Sequence, residues 1–251
     1  MHHGQQPSND GQSPPRARRS DAGKVRLTPR DLAALTLIAE QYAAPYDLLA
    51  AYLEVTESRL RGITARWRNA GLADTGILSA GPAWCWLTPE GMRHAGYPWR
   101  AEQPPMSRLA HIRAVLACRL TMQSGPAWQR WHAQWTSERH LRTETPGVGV
   151  TGHVPDAEVT WPNLDGSPRP GEQWAIEVEL TPKPHHRTQA ILTGLLAQPY
   201  HRILYLCTPQ AHTAITRAIR QHHPDKAARI TTQPLPPAAP MPPATRTRHA
   251  S

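Results

Sequence analysis

Residues 174 to 180, Trp-Ala-Ile-Glu-Val-Glu-Leu, read as a strand with a marked alternation. Successive side chains of a strand point to opposite faces. Trp174, Ile176, Val178 and Leu180 therefore share one face, and Glu177 and Glu179 share the other. Two carboxylates side by side repel each other unless a cation or a solvent face accommodates them. The fold must then bury the apolar face of this strand and give the two acids a counter-charge or water. Lys183 follows at once, and it is the sole lysine between residues 31 and 208 of a chain with three lysines and 25 arginines. Upstream, His153-Val154-Pro155-Asp156 turns into another candidate strand. An Asp, a Glu-x-Glu on a neighbouring strand and a nearby lysine are the parts of many metal-dependent phosphodiesterase sites. The plainer reading is the wet face of an edge strand, with Lys183 as a surface partner.

The surrounding elements suggest an α/β sheet. A helix carrying Trp128, Trp131 and Trp135 is expected to run to about Arg139, with the three indoles as a core stripe at helical spacing. A short strand near 140–145, a strand over 153–161, a Pro- and Gly-rich loop over 162–172 and the strand 174–180 follow. Asp165 falls in that loop as a turn residue. A helix over about 185–197 leads to Arg202-Ile203-Leu204-Tyr205-Leu206-Cys207, which is apolar on both faces as a central strand should be. The intervening helix implies that strands 174–180 and 202–207 are parallel. A helix over 209–222 and a strand over 229–234 complete this region.

Residues 27–99 read as a compact helical module. Thr28 caps a helix opened by Pro29, a second helix follows Pro45, and Thr56 caps a third that Gly71 ends. Gly71 to Leu87 read as a two-stranded hairpin, with Leu72, Ile77, Trp84 and Trp86 as strand residues and Gly81-Pro82 at the turn, and Thr88-Pro89-Glu90 opens a last short helix. Three helices and a hairpin make a winged helix-turn-helix. In the third helix Leu60, Ile63, Thr64 and Trp67 lie on one face. Ser58, Gly62, Ala65 and Asn69 lie opposite, flanked by Arg59 and Arg66 on one side and Arg61 and Arg68 on the other. Small residues let a helix approach a groove closely, and the arginines reach phosphates or guanine edges. The alternative is an ordinary solvated face. Residues 104–125 read as a connector helix through Leu109, Ile112, Val115, Leu116 and Leu120, with His111 and His132 as packing or surface histidines.

The net charge of +9 sits at the ends. Residues 1–30 sum to +4 and residues 209–251 to +5, while residues 31–208 carry sixteen charges of each sign. Basic, Pro-rich ends over 1–26 and 234–251 are expected to be disordered and to attract polyanions. Cys85, Cys118 and Cys207 are too scattered for a metal pair or a disulfide framework. With no apolar leader or long apolar run, a cytoplasmic protein is expected. The absence of Phe beside abundant Arg, Ala and Pro reflects a GC-rich genome.

Phosphodiester hydrolysis needs a nucleophile, neutralisation of the phosphate and a protonated leaving group. Mg²⁺, or Mn²⁺, held by Asp156 and Glu177 with the Val178 carbonyl, would meet the first two needs. Glu179 would assist, Lys183 would stabilise the phosphate, and Glu138 would reach the rim. Glu158 alternates onto the Asp156 face and competes for the ligand role.

The order of elements, with Asp156 and Glu177-x-Glu179, resembles the PD-(D/E)xK, or restriction-endonuclease-like, fold. The helical module followed by Ser137-Glu138-Arg139, His153-Val154-Pro155-Asp156 and Glu177-Val178-Glu179-Leu180-Thr181-Pro182-Lys183 is similar to the replication-relaxation family, over about residues 27–208. That family occurs on actinobacterial plasmids and integrative elements. The resemblance implies an α+β chain: a winged helix-turn-helix over 27–99, a connector over 100–125 and a nuclease-like domain with a mixed central sheet over 126–233. It also implies a role in plasmid replication and DNA relaxation, with duplex DNA and the element's replication or conjugation proteins as partners. Glu138, Asp156, Glu177 and Lys183 take the positions of the nuclease acids and lysine. The usual pattern places the lysine two residues after the last acid, where this chain has Glu179. Lys183 comes six residues after Glu177, behind Pro182.

Three readings follow. The first is a DNA-binding, metal-dependent nicking or cleaving enzyme. The second is a non-catalytic replication accessory or transcription regulator with a degenerate nuclease-like domain. The third is an interaction protein whose helical module contacts another protein.

Overall fold

The computed structural model describes residues 26–144, 153–162 and 172–237. The chain is mixed α+β, with a mixed sheet. Expectations for the two tails fall largely outside the described residues, and the one for Asp165 falls entirely outside them.

Helix α1 (Pro29–Gln41) begins where Thr28 and Asp31 cap each other's backbone amides, with Pro29 in the first turn. Strand β1 (Ala44–Pro45) and helix α2 (Tyr46–Tyr52) follow. Helix α3 (Glu57–Asn69) is capped by Thr56. Gly71, at φ +70°, carries the chain out of α3 in the left-handed region where glycine has no Cβ penalty. Strands β2 (Ala73–Gly76) and β3 (Trp84–Leu87) form the expected hairpin, and β1 adds a third antiparallel strand in the order β1-β3-β2. Ile77 lies outside the hairpin strands and is exposed. Helix α4 (Pro89–His94) packs so closely on the chain at Leu72 that a methyl group at Gly91 would collide with the Leu72 carbonyl.

Helix α5 (Leu109–Ser124) is more than a connector. Leu116 and Ala117 enter the N-terminal core beside Leu35, Leu49 and Trp67. Val115 and Cys118 join Ile176, Val178 and Leu204 under the large sheet. Arg113 pairs with Asp47 and Arg119 with Glu40, which ties α5 to α2 and α1. Apolar residues on several sides of α5 are explained by burial on both flanks.

The region after α5 departs from expectation. Helix α6 (Pro126–Trp131) stops at His132, which is left-handed at φ 51°. The chain then extends as strand β4 (Gln134–Ser137) and turns into helix α7 (Glu138–Glu144). Trp128, Trp131 and Trp135 therefore do not form one helical stripe. Trp135 is buried on β4, and Trp128 meets Trp161 edge-on at 5.9 Å. The stretch near 140–145, expected as a strand, is helix over its described part. Ser137 Oγ accepts the His140 N–H at 3.3 Å, and Glu138 meets Arg142 one turn on, so local polar bonding favours the helix.

Strand β5 (Ala157–Trp161) is shorter than expected, because His153 to Pro155 lie outside it and Asp156 stands in a bend. Strand β6 (Glu172–Glu179), helix α8 (His185–Leu196), strand β7 (Arg202–Cys207), helix α9 (Pro209–His222) and strand β8 (Ile230–Pro234) lie near their expected positions. The five strands run in the order β4-β5-β6-β7-β8. β4, β5 and β6 are antiparallel neighbours, and β6, β7 and β8 are parallel. One face packs on α5 through Ile176, Val178, Leu204 and Leu206. The other packs under α8 and α9 through Ala175, Ile203, Tyr205 and Cys207. Leu235 packs at the sheet end, so order extends past residue 234, where a disordered tail was expected to begin. All three cysteines are free and buried, and burial pushes the Cys85 and Cys118 thiols up to about 12.

Candidate active site

β6 is the central strand, and its two faces are the ones its alternation requires. Trp174, Ile176, Val178 and Leu180 all pack on the α5 side. Glu177 therefore points toward the α8 side, and it is only 4 % exposed. The edge-strand reading fails here, because a central strand covered on both faces has no wet face. Ala157 pairs with Ile176, so extending the register by one residue sets Asp156 across from Glu177.

Asp156 is tied down on three sides. Its Oδ2 accepts the Val178 N–H at 2.8 Å, and its Oδ1 meets His111 Nε2 at 2.8 Å. Its carbonyl accepts the Glu138 N–H at 3.0 Å, which links the start of α7 to this strand end. Glu177 Oε1 meets His153 Nε2 at 2.8 Å. Glu179, half-buried, pairs with Lys183 four residues on. Glu138 stands at the rim between Arg108, at 3.0 Å, and Arg142, at 2.7 Å. Glu158 sits one residue into β5, where burial and its charge and hydrogen bond raise the Tyr200 phenol.

The electrostatics follow from burial. Loss of water pushes the Glu177 carboxyl up to about 7, and the nearby Asp156 charge adds to this while His153 opposes it. Burial favours neutral rings at His153 and His111. The hydrogen bonds and charges of Glu177 and Asp156 outweigh that and raise both imidazoles. The Lys183 amine is lowered by burial and by Arg187, against the pull of Glu177 and Asp156. Despite Pro182 and the six-residue spacing, Lys183 thus lies within the field of both acids. Tyr205, paired across from Glu177 on β7, is raised by burial and by the same two charges. Its hydroxyl has no hydrogen-bond partner among the described residues.

A pH dependence follows. Glu177 holds its proton more tightly in the folded chain than in the unfolded one. Its contribution to stability is present below its ordinary value of 4.5 and is lost as pH rises through about 7. His153, also raised, acts in the same direction above the ordinary imidazole range. In chelator-containing buffer the melting temperature is expected to fall from about pH 5 to about pH 8, and Glu177→Gln should flatten that decline. An equal decline in the variant would show that Glu177 does not titrate in this window.

Among the described residues no three His, Cys, Asp or Glu side chains are grouped to hold a metal ion, so a closed transition-metal site does not fit. Two carboxylates are the number that Mg²⁺ commonly takes from a protein, its other ligands being waters and substrate phosphates. The buried Glu177, with a raised carboxyl and one engaged oxygen, has negative charge that such an ion would relieve.

No model of a known protein family matches this chain, and no curated protein does.

Sequence reasoning missed His111 and His153 as members of the site. His111 lies 45 residues before Asp156, on α5, and no local spacing points to it. His153 was within the quoted motif, and its nearness to Asp156 was the available signal. Gln198 Nε2 donates to the His153 carbonyl at 2.9 Å, and Gly194 lets α8 lie close beside it.

On α3, Leu60, Ile63, Thr64 and Trp67 are buried, as their spacing requires. Ser58, Arg59, Arg61, Gly62, Arg66, Arg68 and Asn69 are all exposed. Arg61 lies 3.9 Å from Glu57, and Arg66 lies 3.8 Å from Asp31. Nothing lies within 4 Å of a Cβ built at Gly62. An interior helix glycine costs roughly 0.5–1 kcal/mol relative to alanine, and packing within this fold does not call for one at Gly62. No helix among the described residues is long and apolar enough to cross a membrane.

Proposed function

We propose that this chain is a DNA-binding protein of a plasmid or integrative element, acting in replication or DNA relaxation, with a Mg²⁺- or Mn²⁺-dependent nicking or cleaving site. The observation that carries this reading is Glu177, buried on a central strand across from Asp156, with Lys183 in the field of both. A chain has little reason to bury a second carboxylate beside a first unless a cation or a reaction uses the pair. The helix, hairpin and small-sheet order of residues 27–99 supports a winged helix-turn-helix. The mixed sheet with acids at the ends of β5 and β6 supports a PD-(D/E)xK-like domain, and with it membership of the replication-relaxation family.

Asp156 and Glu177 would hold the metal, which would neutralise the phosphate and activate water for attack. His111 and the Val178 N–H orient Asp156, and His153 orients Glu177. Lys183, paired with Glu179, would stabilise the phosphate. Glu138 holds Arg108 and Arg142 at the rim. Duplex DNA would lie on the exposed arginine face of α3, and the element's replication or conjugation proteins are the proposed protein partners.

The pairing of both acids with histidines, and of Lys183 with Glu179, favours a second reading. In it the chain is a non-catalytic replication accessory or transcription regulator with a degenerate site. Conversion of supercoiled plasmid in Mg²⁺, against chelator, separates the two.

DNA binding has its own test. Replacing Arg59 and Arg66 together by Ala is expected to weaken duplex binding by more than ~1 kcal/mol in an anisotropy titration. Unchanged affinity would remove α3 from the interface.

A further inference from the structure

We propose that the cleft between α7 and α8 holds the phosphodiester backbone of one nucleic-acid strand and leads it to the acidic cluster. This rests on the nucleic-acid reading above and extends it to a surface that the motifs did not indicate.

The cleft has a volume of about 810 Å³, in the range of a ligand site rather than a packing defect. Arg142 of α7 lies on its wall, as do His186 and Arg187 from the first turn of α8, and His153 lines it too. Among the described residues, no carboxylate lines it. The two arginines on its walls suit an occupant that carries negative charge. A second hollow of about 210 Å³, lined by Leu141, Pro155, Tyr200 and Glu158, has no such basic character.

His153 joins the cleft to the site. Its ring meets Glu177, and its carbonyl is held by Gln198, just past the end of α8. A strand lying along Arg187 and Arg142 would pass His153 on its way to the two acids. Arg187 is exposed, and its charge acts on the Lys183 amine. Among the described residues its guanidinium has no carboxylate partner, so it is available to a phosphate. Arg142 is partly engaged by Glu138, which aims its guanidinium instead of burying it. A small free anion would need only one of these groups. Basic side chains on both walls suit a polymer with regularly spaced phosphates.

The test is an anisotropy titration of the full chain with a labelled single-stranded thymidine dodecamer and, separately, a duplex. Arg187→Glu is expected to weaken dodecamer binding about tenfold or more and to lower its salt slope by about one. Arg187→Lys should retain most of the affinity. Arg187 is exposed, so the variant should melt like the wild type. The Arg59 and Arg66 double variant serves as the reference for the α3 face. If Arg187→Glu binds the dodecamer as tightly as wild type while duplex binding still depends on α3, the cleft assignment alone is overturned. If Arg187→Glu lowers pyrophosphate binding while dodecamer binding is unchanged, the cleft is a small-anion site and the strand assignment fails. If the wild type binds neither probe, the nucleic-acid reading itself falls, and this inference with it.

Discussion

Wild-type protein incubated with supercoiled plasmid and Mg²⁺ or Mn²⁺ is expected to yield nicked or linear DNA, and Glu177→Ala is expected to abolish that conversion. Removing one of two metal-holding carboxylates typically leaves too little negative charge to retain Mg²⁺, which binds proteins through few direct ligands. A loss of about 10²-fold or more is the expected scale for losing a major electrostatic contributor to a transition state. Glu177 is buried, so its alanine variant risks a packing defect. Asp156→Asn is the companion variant, because it keeps size and the acceptor oxygen for the Val178 N–H. Both variants should still shift duplex DNA in a gel, since neither touches α3. Conversion by both variants at the wild-type rate would remove these acids from any catalytic role. No conversion by the wild type, with DNA binding intact, would leave the accessory or regulator reading.

The second large effect concerns stability. Trp67→Ala is expected to destabilise the fold by about 3–5 kcal/mol, the usual cost of removing a buried indole. Trp67 is 1 % exposed and packs in the core that α1, α2, α3 and α5 share. Its Nε1 donates to Asp31 Oδ1 at 3.1 Å. That carboxylate also closes the capping box of α1 and lies 3.8 Å from Arg66. The substitution therefore opens a cavity and removes a partner from a buried acid. A fall in melting temperature of roughly 10 °C would match this scale for a chain of this size. Trp67→Phe keeps most of the packing but loses the hydrogen bond, and should cost about 1–3 kcal/mol. A Trp67→Ala chain melting within a degree or two of wild type would show that this core does not hold α3 in place.

α3 shows how much local pattern can carry. Four buried residues at helical spacing leave one outward face, so the exposure of Arg59, Arg61, Gly62 and Arg66 followed from periodicity. The same logic failed for the tryptophans at 128, 131 and 135, which have helical spacing too. His132 adopts a left-handed conformation, and Trp135 finds its burial on β4 against the sheet. Spacing alone does not tell a helix from a helix followed by a strand when the apolar residues are few.

Alternation along residues 174–180 determined which side chains of β6 share a face, because strand geometry permits one arrangement. Capping at Thr28 and Thr56 likewise set helix starts, since side chain and backbone lie within one turn of each other. These are short-range facts, and the order of residues carries them. Whether Glu177 met water or protein was decided by the neighbours of β6, which lie on both sides of it in the finished sheet. Its pairing with His153, the pairing of His111 with Asp156, and the cleft that Arg142 and Arg187 flank all join residues far apart in the chain. Burial and charge act through distance in space, and that distance was set when α5, α7 and α8 packed around the sheet.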